Sequence, residues 1–150
     1  MRVVLQRCKE ASVEVDGKII GSIDHGYVAL VGFTNGDTKQ IVEKMADKVI
    51  GLRVFRDEND KMNLNILAEG GSILSISQFT LYADASHGRR PSFIEALNPK
   101  DADELYQYFN ECLSRQVHVE TGKFQADMKV QLLNNGPVTI ILDSKDVIRG

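Results

Sequence analysis

Long apolar runs are missing from this chain. None approaches the roughly 20 residues that a bilayer-crossing helix requires. The opening MRVVLQRCKEASVEV is interrupted by Arg2, Arg7, Lys9 and Glu10 where a secretory leader would carry its apolar core. Cysteine is scarce as well: Cys8 and Cys112 stand far apart and form no C-x-x-C pair. That excludes a disulfide framework and a thioredoxin-type redox pair, and both thiols are expected to be buried in reducing, cytoplasmic surroundings. Nor is there an excess of basic charge, since 18 Lys and Arg face 21 Asp and Glu for a net charge of −3. A protein that coats nucleic acid indiscriminately is thereby excluded, but a local basic patch touching one end of an RNA is not. No repeat, low-complexity segment or Pro/Gly/Ser-rich linker divides the sequence. What remains is an ordinary globular composition, 43% hydrophobic and 26% charged over 150 residues. The expectation is one domain spanning residues 1–150, able to bury roughly 68–70% of its unfolded surface without a disulfide or metal.

The pattern of apolar residues describes an α+β fold. Val3, Leu5, Val13 and Val15 alternate with polar neighbours as a half-buried strand does. Asp16-Gly17 suits a type I′ turn into a partner strand from Lys18 to Ile23, and a turn at His25-Gly26 leads to the apolar strand YVALVGF at 27–33. Asp37 reads as a helix N-cap with Gln40 three residues on, ahead of a stripe of Ile41, Val42, Met45, Ala46, Val49 and Ile50. Strands are expected at 52–55 and 73–82, and a loop from Ala83 to Leu97. Asn98-Pro99 opens a second helix that buries Leu105, Tyr106, Phe109, Cys112 and Leu113. Alternation at 128–132, a turn at Asn134-Asn135-Gly136-Pro137 and VTIIL at 138–142 close the pattern, with a polar tail from Ser144 expected to fray. About seven or eight strands with two main helices favour largely antiparallel sheets over a doubly wound parallel one.

The familiar catalytic signatures are also missing. There is no G-x-S-x-G elbow, no Walker pattern, no G-x-G-x-x-G and no EF-hand or zinc spacing. No metal or cofactor is expected. His25, His87 and His118 are available to a Ser-His-Asp triad, yet nothing in their settings marks one as a general base.

Two stretches stand out instead: Ser77-Gln78-Phe79-Thr80-Leu81-Tyr82 and Asn134-Asn135-Gly136-Pro137-Val138-Thr139. Taken singly, the first is a good alternating strand and the second a turn running into one. Together, in this order and at this spacing, they resemble the two signature motifs of the D-aminoacyl-tRNA deacylase family. The resemblance extends through MRVVLQR, the DGK hairpin, MNLNI at 62–66, GRRPSF at 88–93 and ETGKFQADM at 120–128 to ILDS.

The resemblance implies a deacylase-type fold with a barrel-like core, and a cytoplasmic homodimer that hydrolyses D-aminoacyl-tRNA, and glycyl-tRNA, with no membrane or cofactor involved. It implies catalytic roles for Ser77, Gln78, Phe79 and Thr80, and a Gly136-Pro137 peptide, cis in this family, that binds substrate in the other subunit's pocket. Its carbonyl oxygens would reject the L-form. Backbone N–H groups around Gln78-Phe79-Thr80 are the candidate oxyanion donors. Thr80 has no evident base to make it a nucleophile, which points to help from the ribose 2′-OH. Strand alternation puts Gln78 and Thr80 on one face and Ser77 on the other, so a bend is required if all three are to line one pocket. Arg89 and Arg90 are the candidate phosphate contacts on tRNA. Three other readings stay open at this level: a hydrolase of other acyl esters at RNA ends, a non-catalytic RNA-binding module, and a purely structural dimer unconnected with RNA, which the acidic pI of about 5.6 permits.

Overall fold

The structure, a computed structural model, describes residues 1–148. Its spine is strand β1 (Arg2–Val15), which buries Val3, Leu5, Val13 and Val15 as the alternation predicts. Asp16 and Gly17 both adopt positive φ, 51° and 77°, so the chain reverses in two residues and β2 (Lys18–Ile23) returns along β1. Strand β3 (Gly26–Gly32) pairs antiparallel with the first half of β1. The long strand β8 (Lys129–Asp143) pairs antiparallel with the other edge of β1, from Arg2 to Glu14.

Two further strands run parallel: β6 (Ser72–Ser77) beside β3, and β7 (Val119–Thr121) beside β6. Parallel pairing starts at Gly26, whose φ is 149° and where an added Cβ would fall 1.8 Å from the Ser72 carbonyl oxygen. Only glycine admits that approach. A methyl group at Gly21 of β2 would likewise meet the Thr121 oxygen of β7 at 2.9 Å, so the sheet curls until its ends nearly meet. The result is the expected barrel-like α+β architecture.

Each face of the sheet has its own core. Val3, Leu5, Tyr27, Ala29, Val31 and Ile73 pack under the helices α1 (Lys39–Gly51) and α3 (Pro99–Ser114). Cys8, Ala11, Val13, Val28, Leu74 and Ile76 fill the barrel. Cys8 and Cys112 are buried free thiols, as expected. Burial pushes the Cys8 thiol up to about 11, so it stays protonated.

Several boundaries differ from the sequence reading, each for a local reason. Helix α1 is capped by Thr38, whose Oγ1 accepts from the Ile41 N–H at 3.3 Å. Asp37 faces backward instead, taking the Thr34 N–H at 2.8 Å and the Met1 ammonium at 2.9 Å, where a charge-assisted contact outweighs a cap. Of the strand expected at 52–55, only β4 (Phe55–Arg56) forms, paired with β5 (Met62–Leu64), because Leu52 closes α1. Asn65 caps a one-turn helix α2 (Ile66–Glu69).

The strand expected at 73–82 ends at Ser77 and becomes a 3-10 turn over Phe79–Tyr82. At 134–137 the chain does not reverse: β8 bulges and then resumes its pairing with β1. The tail is ordered through α4 (Ser144–Val147), capped by Asp143, with Ser144 buried. The last of the expected frayed tail, Arg149 and Gly150, lies outside the described residues.

One ion pair ties this terminus to the 3-10 turn. Arg2 Nε donates to Asp143 Oδ2 at 2.8 Å, its NH1 group donates to the Leu81 carbonyl at 2.8 Å, and the guanidinium sits 4.5 Å over the Tyr82 ring. Burial alone would raise the Asp143 pKa. The hydrogen bonds from Arg2 and the Lys145 N–H outweigh it and hold the carboxyl below its ordinary value. A depressed folded pKa contributes stability above the unfolded value, roughly pH 3.9, that is lost as pH falls through the folded value. Asp143→Asn should therefore lower the thermal midpoint at pH 7, and the gap from wild type should close as pH drops below about 4. Melting curves taken across pH check this, and a gap that is constant down to pH 2.5 refutes it.

Candidate active site

The SQFTLY stretch is bent by its own hydrogen bonds. Gln78 donates its N–H to the Val31 carbonyl at 2.7 Å, the last rung between β6 and β3. It then leaves extended geometry with φ −145° and ψ 82°, and Leu81 N–H turns back to the Gln78 carbonyl at 3.2 Å. The bend that strand alternation requires is thus present. Ser77, Gln78 and Phe79 all line one cleft of about 530 Å³, whereas Thr80 lies outside its lining. The Gln78 amide N–H donates to Thr80 Oγ1, so the threonine hydroxyl holds the glutamine side chain.

The bend also changes which donors are free. The Gln78 N–H is spent on Val31, which removes it from the expected oxyanion set. Phe79 and Thr80 open the 3-10 turn, and their N–H groups have no intrahelical carbonyl to donate to.

Opposite the turn, the cleft is walled by Phe93, Leu97, Asn98 and Ala102, and by the Phe124–Met128 loop. Phe79 and Phe93 meet edge to face with centroids 5.0 Å apart at the exposed mouth. Gln125 holds a positive φ of 65° within this loop, and nothing in its sequence announced it. No ionisable side chain lines the cleft among the described residues. His25 contacts the Glu69 carbonyl, His118 pairs with Glu120 at 3.0 Å, and His87 is exposed in the 83–97 loop; none of the three lines the cleft.

The second motif forms a protrusion on β8. Asn134 bridges it from both sides: Oδ1 accepts the Val138 N–H at 2.7 Å and Nδ2 donates to the Val138 carbonyl at 3.2 Å. The Gly136-Pro137 peptide is cis, both residues are exposed, and neither lines the cleft of its own chain. Ser77 pairs with Val31, which pairs with Val3, while Asn134 pairs with Cys8, so the two motifs stand about five residues apart along β1, on the order of 17 Å.

Arg7 sets the protrusion. It is 3% exposed, yet its Nε donates to the Asn135 carbonyl at 2.8 Å and its NH1 group to the Val54 carbonyl at 2.5 Å. Burial, with Arg56 nearby, lowers its pKa from the ordinary value, although a guanidinium stays charged at physiological pH. At Gly136, where φ is 142°, a Cβ would stand 2.8 Å from Val138 Cγ2 and 3.0 Å from the Arg7 guanidinium. The sequence reading passed over Arg7. The signal was its place in the alternation, in phase with the buried Val3 and Leu5.

Arg89 and Arg90 lie exposed in the 83–97 loop, whose base is closed by the Asp84–Ser92 bridge. Neither makes an ion pair or hydrogen bond among the described residues.

Arg7→Lys should cost about 1–3 kcal/mol in urea unfolding, because one ammonium cannot reach both carbonyls and leaves one buried acceptor unpaired. Unchanged stability would show that the two contacts contribute nothing.

Comparison with known proteins agrees with this geometry. Residues 4–143 match the family model described as D-Tyr-tRNA(Tyr) deacylase. The chain is 57% identical over 148 residues to the D-aminoacyl-tRNA deacylase of Listeria innocua serovar 6a, covering 98% of this chain and 99% of that one. It is 57% identical over 146 residues to the D-aminoacyl-tRNA deacylase of Bacillus cytotoxicus, covering 97% and 100%. Among solved structures, the c-Myc DNA unwinding element binding protein superposes with a TM-score of 0.90 at 37% identity, covering 95% of this chain and 98% of that one. A probable eukaryotic D-amino acid tRNA deacylase superposes with a TM-score of 0.84 at 14% identity, covering 94% and 97%, which shows a shared fold. With its two motifs, its fold and its full-length relatives in agreement, the chain belongs to the D-Tyr-tRNA(Tyr) deacylase family and is a hydrolase.

Proposed function

We propose that two copies of this chain form a homodimer that hydrolyses the ester of D-aminoacyl-tRNA, and of glycyl-tRNA, in the cytoplasm. The observation that carries the mechanism is the cleft itself. Ser77, Gln78 and Phe79 converge in a site with no acid or base among its lining side chains. Catalysis then rests on positioning and on backbone donors. The N–H group of Phe79, the free turn donor that lines the cleft, receives the carbonyl oxygen as it becomes an oxyanion, a contact worth roughly 2.7–4 kcal/mol per donor in other hydrolases. Ser77 and Gln78 hold the terminal ribose and the ester.

The neighbouring ribose 2′-OH orients and helps deprotonate the attacking water. Water adds to the carbonyl carbon, the bond from that carbon to the ribose 3′-oxygen breaks, and the proton ends on the ribose oxygen. Thr80 serves by fixing the Gln78 amide. The exposed Phe79–Phe93 pair offers a stacking face for a base.

The dimer is supported by what β8 leaves bare. Among the described residues that strand pairs only with β1, and Leu133 and Ile141 on it are 53% and 72% exposed. A long uncovered edge with apolar side chains is a template for pairing. Gly136 and Pro137 are too far from their own cleft, and the partner subunit's Gly136 and Pro137 would enter it.

Fixed carbonyl oxygens near the substrate Cα accept from the ammonium of a D-aminoacyl ester and collide with the side chain of an L-ester. Glycine, lacking a side chain, passes. Arg89 and Arg90 meet acceptor-stem phosphates, being free cations on one exposed loop.

Purified protein in EDTA should cleave D-tyrosyl-tRNA and glycyl-tRNA rapidly and spare L-tyrosyl-tRNA, and equal cleavage of both tyrosyl esters would end the chiral reading. Thr80→Ala should retain turnover within about threefold, because deletion of a true nucleophile costs orders of magnitude. Complete loss in a folded variant would make Thr80 the nucleophile. Replacing Arg89 and Arg90 with alanine should weaken tRNA binding and flatten the slope of log affinity against log salt by about one to two. An unchanged slope would remove both from the RNA contact.

A further inference from the structure

Strand β6 loses a neighbour just where it delivers the site residues. The Ile73 N–H donates to the His118 carbonyl at 3.0 Å, and the Ser75 carbonyl accepts the Gly122 N–H at 3.4 Å. These odd-numbered peptide groups therefore face β7, while the Gln78 N–H faces β3. Pairing with β7 reaches only as far as Ser75 with Thr121. By the same alternation, the Ser77 N–H points to an edge where no strand continues.

The side chain of Tyr106, from α3, occupies that edge. Its hydroxyl donates to the Ser75 carbonyl at 2.6 Å, and the backbone of Ser77 and the Asn110 amide face the same phenol oxygen. Tyr106 is 1% exposed and its ring is backed by Phe124, 6.0 Å away between centroids. Burial raises its pKa, so the phenol remains a neutral donor. Around it, Ser75 Oγ and both polar atoms of the Asn110 amide are buried and face no polar partner but the phenol among the described residues. A polar pocket in an apolar core is costly, and packing alone does not call for one.

We propose that Tyr106 is a positioning residue. Its hydroxyl stands in for the missing strand at the edge of β6, and so fixes the direction in which Ser77, Gln78 and the free N–H group of Phe79 enter the cleft. This rests on the reading of Ser77–Thr80 as the catalytic turn. Misplacing such donors by a fraction of an ångström weakens the hold on the developing oxyanion more than the hold on the ground-state ester. The loss should therefore fall on kcat, with little change in KM.

The test compares wild type, Tyr106→Phe and Gln78→Ala in steady-state cleavage of D-tyrosyl-tRNA, with rates normalised to the folded fraction from circular dichroism. Tyr106→Phe should lower kcat about tenfold, the scale of one neutral hydrogen bond, and leave KM within about twofold. A wild-type kcat in the folded variant overturns the proposal and leaves Tyr106 a core residue only. If Gln78→Ala also turns over at the wild-type rate, the catalytic turn itself has been misassigned. If only Gln78→Ala fails, the error is confined to Tyr106. Should the phenylalanine variant not fold, 3-fluorotyrosine installed at 106 keeps the packing and alters the donor. A kcat that shifts at constant KM then supports the proposal, and an unchanged kcat overturns it.

Discussion

Strand β1 is hydrogen-bonded along both edges, to β2 and β3 on one side and to β8 on the other. Both motifs hang from that double pairing. Through β3 and β6, β1 sets where Gln78 leaves the sheet, because the last rung binds the Gln78 N–H to Val31. Through β8 it sets where Gly136 and Pro137 protrude, because pairing breaks opposite Cys8 and resumes at Gln6. A slip of one residue in either register would turn every side chain of the slipped strand to the opposite face. The two buried cores on either side of β1 make such a slip prohibitive.

Charge is placed to serve this frame and is kept out of the cleft. Arg7 crosses from β1 to the carbonyls of Asn135 and Val54, and Arg2 crosses to Asp143 and the Leu81 carbonyl. One guanidinium fixes the protrusion and the other fixes the far end of the 3-10 turn. The cleft itself is lined by backbone, amides, hydroxyl and apolar groups. In such surroundings a few oriented N–H dipoles act more strongly on developing charge than they would in water. On the proposed mechanism, rigidity of the frame is therefore what takes the place of a protein acid or base.

Local chemistry was legible wherever a residue's neighbours in sequence decide its conformation. The Asp16-Gly17 hairpin, the Asn98-Pro99 helix start and the apolar stripes of both main helices stand where the pattern put them. The two motifs were likewise legible, through their resemblance to a family. Misreadings arose where a distant partner outbid a local preference. Asp37 left its cap for the Met1 ammonium, and the polar tail was ordered because Ser144 and Asp143 found partners at the chain's beginning. Asn134 to Pro137 carries turn residues, yet continued pairing of β8 with β1 made them a bulge.

By itself, then, the sequence determined the α+β class, the period of each buried face, the hairpin, the helix starts and the identity of the two motifs. All of these follow from rotamer, capping and hydrophobic preferences acting over a few residues. Tertiary structure alone decided that Ser77, Gln78 and Phe79 share a cleft while Thr80 does not, and that the Gln78 N–H is already spent. It also decided that Arg7 and Tyr106, unremarkable in the sequence as site residues, hold the carbonyls of Asn135 and Ser75 in and beside the two motifs. The reason is physical: a hydrogen bond between residues 31 positions apart, such as Tyr106 to Ser75, leaves no periodic trace in either segment. It exists only once packing has brought the donor to the edge of the strand.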